Sequence, residues 1–198
     1  MSTADALKTK FLLTALPDIP FDGWTDELME RTAGKLKLSD KKCAELFPHG
    51  VKDLVIYFSE WATDEMLKKL KKTDLESLRI RDRITLGVRT RLEILKPYKE
   101  AFSAATAFLS RPPQSLQLPK LIWHTADKIW WAAGDTATDY NHYTKRILLS
   151  GVLTSTTLYW LNDDSHDQQQ TWHFLDRRIE EVLKIGKKIS QFKKKKEA

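Results

Sequence analysis

The sequence predicts an all-α fold, and three observations carry the prediction. Glycine is scarce, with seven in 198 residues. Apolar residues recur at spacings of three and four along nearly the whole chain, the period of an amphipathic helix, and strand-like alternation is hard to find. Pro17, Pro20, Pro48, Pro97, Pro112 and Pro113 fall where runs of helical periodicity stop, as expected of a residue that lacks an amide donor. An apolar content of 41% with seven tryptophans excludes a disordered chain. The length suffices for one sizeable core, or one domain and a small lobe.

About nine helices follow in order. A first runs over about 4–16, ended by Pro17 and Pro20. Thr25 can cap a second over 26–37, with Asp26 and Glu27 where the helix dipole favours negative charge. Ser39 can cap a short third that ends near Phe47-Pro48. In a long fourth, Val51, Leu54, Val55, Phe58, Ala62, Met66 and Leu70 form one stripe. A fifth carries Ile80, Ile84, Val88, Leu92 and Leu95, and a sixth Tyr98, Ala101, Phe102, Ala105, Phe108 and Leu109. The seventh, about 118–133, is apolar on more than one face: Leu121, Ile122, Trp123, Ile129, Trp130 and Trp131. The eighth runs to about Leu161, and after a polar turn over 162–169 a ninth continues into the tail.

Charge is unevenly distributed. The last fifteen residues carry seven lysines and one glutamate, a net +6, equal to the +6 of the whole chain. Residues 1–183 therefore balance 26 basic against 26 acidic side chains, and the basic isoelectric point describes a tail on a neutral body. A neutral body argues against nucleic-acid binding, which needs a basic face. The single cysteine, Cys43, excludes an intramolecular disulfide and a cysteine-based zinc cluster. The opening residues have no secretory pattern and are not an Arg-rich transit peptide, so a bacterial cytosolic protein is expected. The charge-free run Ile147 to Leu161 is fifteen residues with five Ser or Thr. That is too short and too polar for a membrane span, and a buried helix is expected.

The stretch GDTATDYNHYTKR, residues 134–146, concentrates polar chemistry between the seventh and eighth helices. Asp139 and His142 have a spacing that can bind a metal from one helix face, as do His124 and Asp127. A di-iron bundle needs two Glu-x-x-His motifs and two further carboxylates, and none of the former is present. A Ser-His-Asp hydrolase has no nucleophile elbow to start from. No metal, cofactor or catalytic residue is therefore assigned. Helix termination explains the first half of the stretch better. Gly134 suits a left-handed stop, Thr136 or Thr138 a cap, and Asp135 and Asp139 the positive end of the next helix. The second half is different. His142 and Tyr143, near Ile129 and Trp130, with Arg146 close by, make a cluster of the kind found at interface hot spots.

Two resemblances follow. The order of short helix, capping serine, short helix and long helix in LKLSDKKCAELFPHGVKDLVIYF, residues 36–58, is similar to the start of TetR-type regulators. The short helix that would read DNA shows Asp40, Lys41, Lys42, Ala44 and Glu45, and two acids there oppose phosphate contact. The resemblance implies a degenerate helix-turn-helix over 1–58, a ligand-binding and dimerising helical domain over 59–178, and a basic amphipathic segment over 179–198. A ligand-responsive DNA-binding regulator is the alternative it leaves.

ADKIWWAAGDTATDYNHYTKRILLSGVLTST, residues 126–156, with TWHFLDRRI, residues 171–179, closely resembles the Coq-nine family of ubiquinone-biosynthesis accessory proteins. Asp127, Trp130, Gly134, Asp135, Thr138, Asp139, Asn141, Tyr143, Thr144 and Arg146 match its pattern; Gly23-Trp24 and LFPHGVKDLV, residues 46–55, match too. The resemblance implies a non-enzymatic homodimer that holds an isoprenoid quinone precursor and presents it to a di-iron hydroxylase. It also implies a partner patch of Asp127, Ile129, Trp130, His142 and Tyr143, held by a corner of Gly134, Asp135, Thr138, Asp139 and Arg146. His142 departs from the tryptophan the family often has. In the last helix, Ile185, Ile189 and Phe192 alternate with Lys187, Lys188, Lys193 and Lys194. Such a basic amphipathic helix can lie on an anionic membrane, with about 1 kcal/mol per lysine near the surface.

Overall fold

The computed structural model describes the backbone of residues 3–136 and 140–196 and the side chains of residues 3–136 and 141–185. Ten α-helices lie among them: α1 (Thr3–Ala15), α2 (Ile19–Asp22), α3 (Asp26–Leu36), α4 (Asp40–Leu46), α5 (Val51–Leu70), α6 (Ile80–Leu95), α7 (Lys99–Leu109), α8 (Gln117–Ala132), α9 (Tyr140–Leu161) and α10 (Gln169–Lys196). The all-α expectation holds, with no strand among the described residues. The single turn α2 is the one helix added to the nine expected.

Local chemistry sets the early boundaries. The Thr25 hydroxyl accepts the amide of Leu28 at 3.2 Å and starts α3; Ser39 does the same for Lys42 at 3.3 Å and starts α4. Each cap satisfies one of the amides that a helix start leaves without an intrahelical partner. Every residue of the predicted α5 stripe is buried. On α6 the stripe is buried from Ile84 onward, whereas Ile80, the first helical residue, is largely exposed.

The helices form two compact units. The first comprises Met1–Asp64 and Leu95–Leu121. Its core contains Phe11, Leu12, Leu28, Leu54 and Phe58, all fully buried, and each such side chain contributes about 1.5–3 kcal/mol when taken from water. Trp24 Nε1 donates to the carbonyl of Ala101 at 3.0 Å, and Phe58 meets Phe102 with ring centroids 6.2 Å apart. These contacts fasten α7 to the N-terminal helices. The division after residue 58 expected from sequence is therefore displaced, because α7 packs with elements far from it in sequence.

The second unit comprises Glu65–Ile94 and Ile122–Ala198. In it α6 and α8 run antiparallel in close contact. Ile129 lies so near Gly87 that a Cβ placed there would stand 2.9 Å from Ile129 Cγ2. One turn away, Arg83 Nη1 donates to the carbonyl of Ala133 at 3.0 Å. The α9–α10 turn is closed by Asp163, whose carboxylate accepts the amide of Ser165 at 2.8 Å and the amide and hydroxyl of Thr171 at 2.9 and 2.5 Å. Leu175 and Ile179 are buried, and Phe174 stacks on Tyr159 at 4.5 Å. The root of α10 thus belongs to this unit, and α10 runs unbroken through the boundary expected near residue 178.

Candidate functional site: the corner between α8 and α9

The last turn of α8 closes in a Schellman motif. The amide of Gly134 donates to the carbonyl of Trp131 and that of Asp135 to the carbonyl of Trp130, both at 3.0 Å. Gly134 has φ +90°, where a side chain is strained. The glycine stop read from sequence is therefore the actual one. Thr138 and Asp139, expected to cap α9, lie outside the described residues.

Arg146 ties the corner together. Its side chain is only 4% exposed. Nε donates to Asp127 Oδ1 of α8 at 2.6 Å; Nη1 donates to Asp135 Oδ2 at 3.0 Å and to the carbonyl of His142 at 3.1 Å. Asp135 is nearly as buried, and its other oxygen accepts Lys145 Nζ at 2.6 Å. Lys145 also lies 5.3 Å from the Trp130 ring, and Trp130 Nε1 donates to the Lys145 carbonyl at 3.1 Å. Asp135 thus serves as a bridging carboxylate as well as a charge near a helix start. Buried charges cost desolvation, and this group of two acids and two bases offsets it with charge-assisted bonds in a fixed geometry.

Beside this clamp lies an aromatic surface. Tyr143 is 58% exposed, stacks on Trp123 with centroids 6.3 Å apart, and meets the His142 ring edge-on at 5.2 Å. Of the five expected patch residues, Trp130, His142 and Tyr143 gather at the corner, while Asp127 is engaged by Arg146. Ile129 is a correction. It is 1% exposed and faces Gly87 in the interior, because it falls on the α6 side of α8. Ile147 and Trp131, which were not among the expected patch residues, are also exposed here. Ile147 stands one turn after Tyr143, a spacing that could have revealed it.

The charge-poor part of α9 is only half buried. Leu149, Val152, Leu153, Thr156 and Trp160 face the interior, whereas Ile147, Gly151, Thr154 and Leu158 are exposed. His124 is exposed, and among the described residues no group of three His, Cys, Asp or Glu side chains could hold a metal ion. Among those residues no helix is long and apolar enough to cross a membrane. Ile185 is exposed on α10. Ile189, Phe192, Lys187, Lys188, Lys193 and Lys194 follow along its backbone, and their side chains lie outside the described residues.

The architecture is that of a TetR-type helical protein. A TetR transcriptional regulator from Nitrosomonas europaea matches with a TM-score of 0.70, covering 90% of this chain and 98% of its own, at 17% identity, a likeness of fold alone. Residues 113–186, which contain the corner, match the COQ9 family model. The rat protein named "Ubiquinone biosynthesis protein COQ9, mitochondrial" is 30% identical over 98% of this chain and 64% of its own length. The human protein of the same name is 29% identical over 98% and 63%, and that of Drosophila melanogaster 30% over 94% and 58%. The chain is similar to proteins of the COQ9 family, and it spans less than two thirds of the length of these relatives. The expectation of a bacterial cytoplasmic protein is overturned by them, since the relatives are named as mitochondrial. That expectation rested on the composition of the first residues, which does not determine a compartment.

Proposed function

We propose that this protein is a non-enzymatic lipid-binding accessory factor of ubiquinone biosynthesis. It acts as a homodimer that takes an isoprenoid quinone precursor from the membrane and presents it to the di-iron demethoxyubiquinone hydroxylase. The observation that carries this reading is the corner itself. A buried Arg146–Asp135 pair fixes the start of α9, and beside it Trp123, His142 and Tyr143 form an aromatic surface in the segment matching the COQ9 family model. Rigid aromatic anchors beside a salt-bridged frame suit partner recognition. The relatives' names supply the pathway.

The membrane contact is assigned to the end of α10. Its root is held by Leu175 and Ile179, and beyond it Leu183 and Ile185 are exposed where the +6 segment begins. A polyprenyl lipid gains about 0.8 kcal/mol per CH₂ removed from water, so a carrier must both reach the bilayer and offer an apolar interior. The test is mass spectrometry of lipids that co-purify with the protein, alongside flotation with anionic and neutral vesicles. The expected result is a co-purified isoprenoid and binding to anionic vesicles that weakens with salt and is lost when residues 184–198 are removed. A lipid-free protein indifferent to vesicle charge would overturn the proposal.

A further inference from the structure

Arg83 of α6 is far in sequence from the corner, yet its guanidinium bonds three backbone carbonyls from two chain segments. Nη1 donates to Ala133 at 3.0 Å, at the end of α8. Nε donates to Leu78 at 2.9 Å and Nη2 to Glu76 at 3.1 Å, both in the loop before α6. The fork of the guanidinium fits this arrangement; a lysine could satisfy one carbonyl at a time. Gly134 follows directly, and a Cβ there would stand 3.4 Å from Arg83 Nη1. That is an ordinary van der Waals distance, so the glycine serves the left-handed turn rather than the approach of Arg83.

One turn further along α6, Gly87 receives Ile129. Ile129 and Ala133 are themselves one turn apart on α8. Two rungs, Gly87 to Ile129 and Arg83 to Ala133, thus hold the final turn of α8 from behind, while Arg146 holds it from the α9 side. Trp130 and Trp131, whose carbonyls accept the amides of Asp135 and Gly134, lie between the two rungs in sequence.

We infer that Arg83 is a positioning residue for the partner surface: it locks the end of α8 to the 76–78 loop and thereby sets the placement of Trp130 against Lys145 at the corner. The inference rests on the reading of the corner as the hydroxylase-binding surface. Arg83 itself contacts no partner; it acts through the backbone that carries Trp130.

The test compares Arg83→Met and Arg83→Lys with the unaltered chain in two measurements. Hydrogen exchange is read at the amides of Gly134 and Asp135, and affinity is read against purified di-iron hydroxylase from the same organism. In Arg83→Met, exchange at these two amides rises and hydroxylase affinity falls by about tenfold, with Arg83→Lys intermediate in both and amides in the buried face of α9 unchanged. Unchanged exchange in both variants overturns the inference, as does faster exchange with unaltered affinity. If Arg83→Met does not fold, the same criteria apply to Arg83→Lys. If the unaltered chain itself does not bind the hydroxylase, the partner reading fails, while the exchange measurement still decides whether Arg83 orders the corner.

Discussion

The guanidinium of Arg146 on α9 lies 2.6 Å from the carboxylate of Asp127 on α8 and, through a second nitrogen, 3.0 Å from that of Asp135 in the turn between them. One side chain therefore joins three consecutive pieces of the chain. It does so from a nearly sealed position, where a single charge left alone would be costly.

Arg146→Met should destabilise the protein by about 3–5 kcal/mol, the usual cost of removing one partner from a buried ion pair. Arg146→Lys should not restore it, since an ammonium cannot span Asp127, Asp135 and the His142 carbonyl together. Urea unfolding of both variants measures this. A loss under 1 kcal/mol would show that the clamp is solvated in solution.

Tyr143 and Ile129 should separate recognition from stability. Tyr143→Ala removes an exposed ring, so thermal unfolding should barely change while hydroxylase affinity falls. Ile129→Ala should cost about 2–5 kcal/mol of stability, as for other buried aliphatic truncations. Equal destabilisation by the two would contradict the assignment of one to the surface and the other to the interior.

Gly87→Ala sets two effects against each other. Replacing a helical glycine gains about 1 kcal/mol, and a new methyl 2.9 Å from Ile129 Cγ2 costs about 1–3 kcal/mol of overpacking. Ile129 is β-branched and cannot turn its methyl aside freely, so a net loss is expected. Combined with Ile129→Ala, the substitution should become stabilising relative to Ile129→Ala alone. A double-mutant cycle with no coupling would show that α6 and α8 stand further apart.

Asp163 predicts an acid-sensitive turn. Burial alone would raise its carboxyl above the ordinary 3.8, but hydrogen bonds from Ser165 and Thr171 outweigh burial and hold it at about 2. A folded-state value below the unfolded one stabilises fully above about pH 3.8, and that contribution is lost as pH falls through about 2. Stability of the unaltered chain should therefore fall between those values, and Asp163→Asn should be less stable at neutral pH and flatter across the window. The two chains losing stability in parallel from pH 4 to 2 would exclude this source.

Much of this was legible in the sequence. The α5 stripe, the Thr25 and Ser39 caps and the Gly134 stop follow from spacing and local chemistry that act within a few residues, which one chain displays directly. The helical class and the corner's boundary follow from the same signals. The family pattern also marked Arg146, though not what it does.

Tertiary structure alone decided the rest. Arg83 and Ala133 are fifty residues apart and meet only because α6 and α8 pack antiparallel through Gly87. Ile129 and Tyr143 are both apolar neighbours of the corner in sequence, yet one is sealed and the other open. Which face of an all-round apolar helix meets another helix depends on its partners, and helical periodicity records only that such a face exists. The sequence by itself determined the helices, their stops and the concentration of basic charge at one end. Packing determined that α7 joins the N-terminal helices, that α10 is rooted before its basic end, and that two arginines distant in sequence hold one corner.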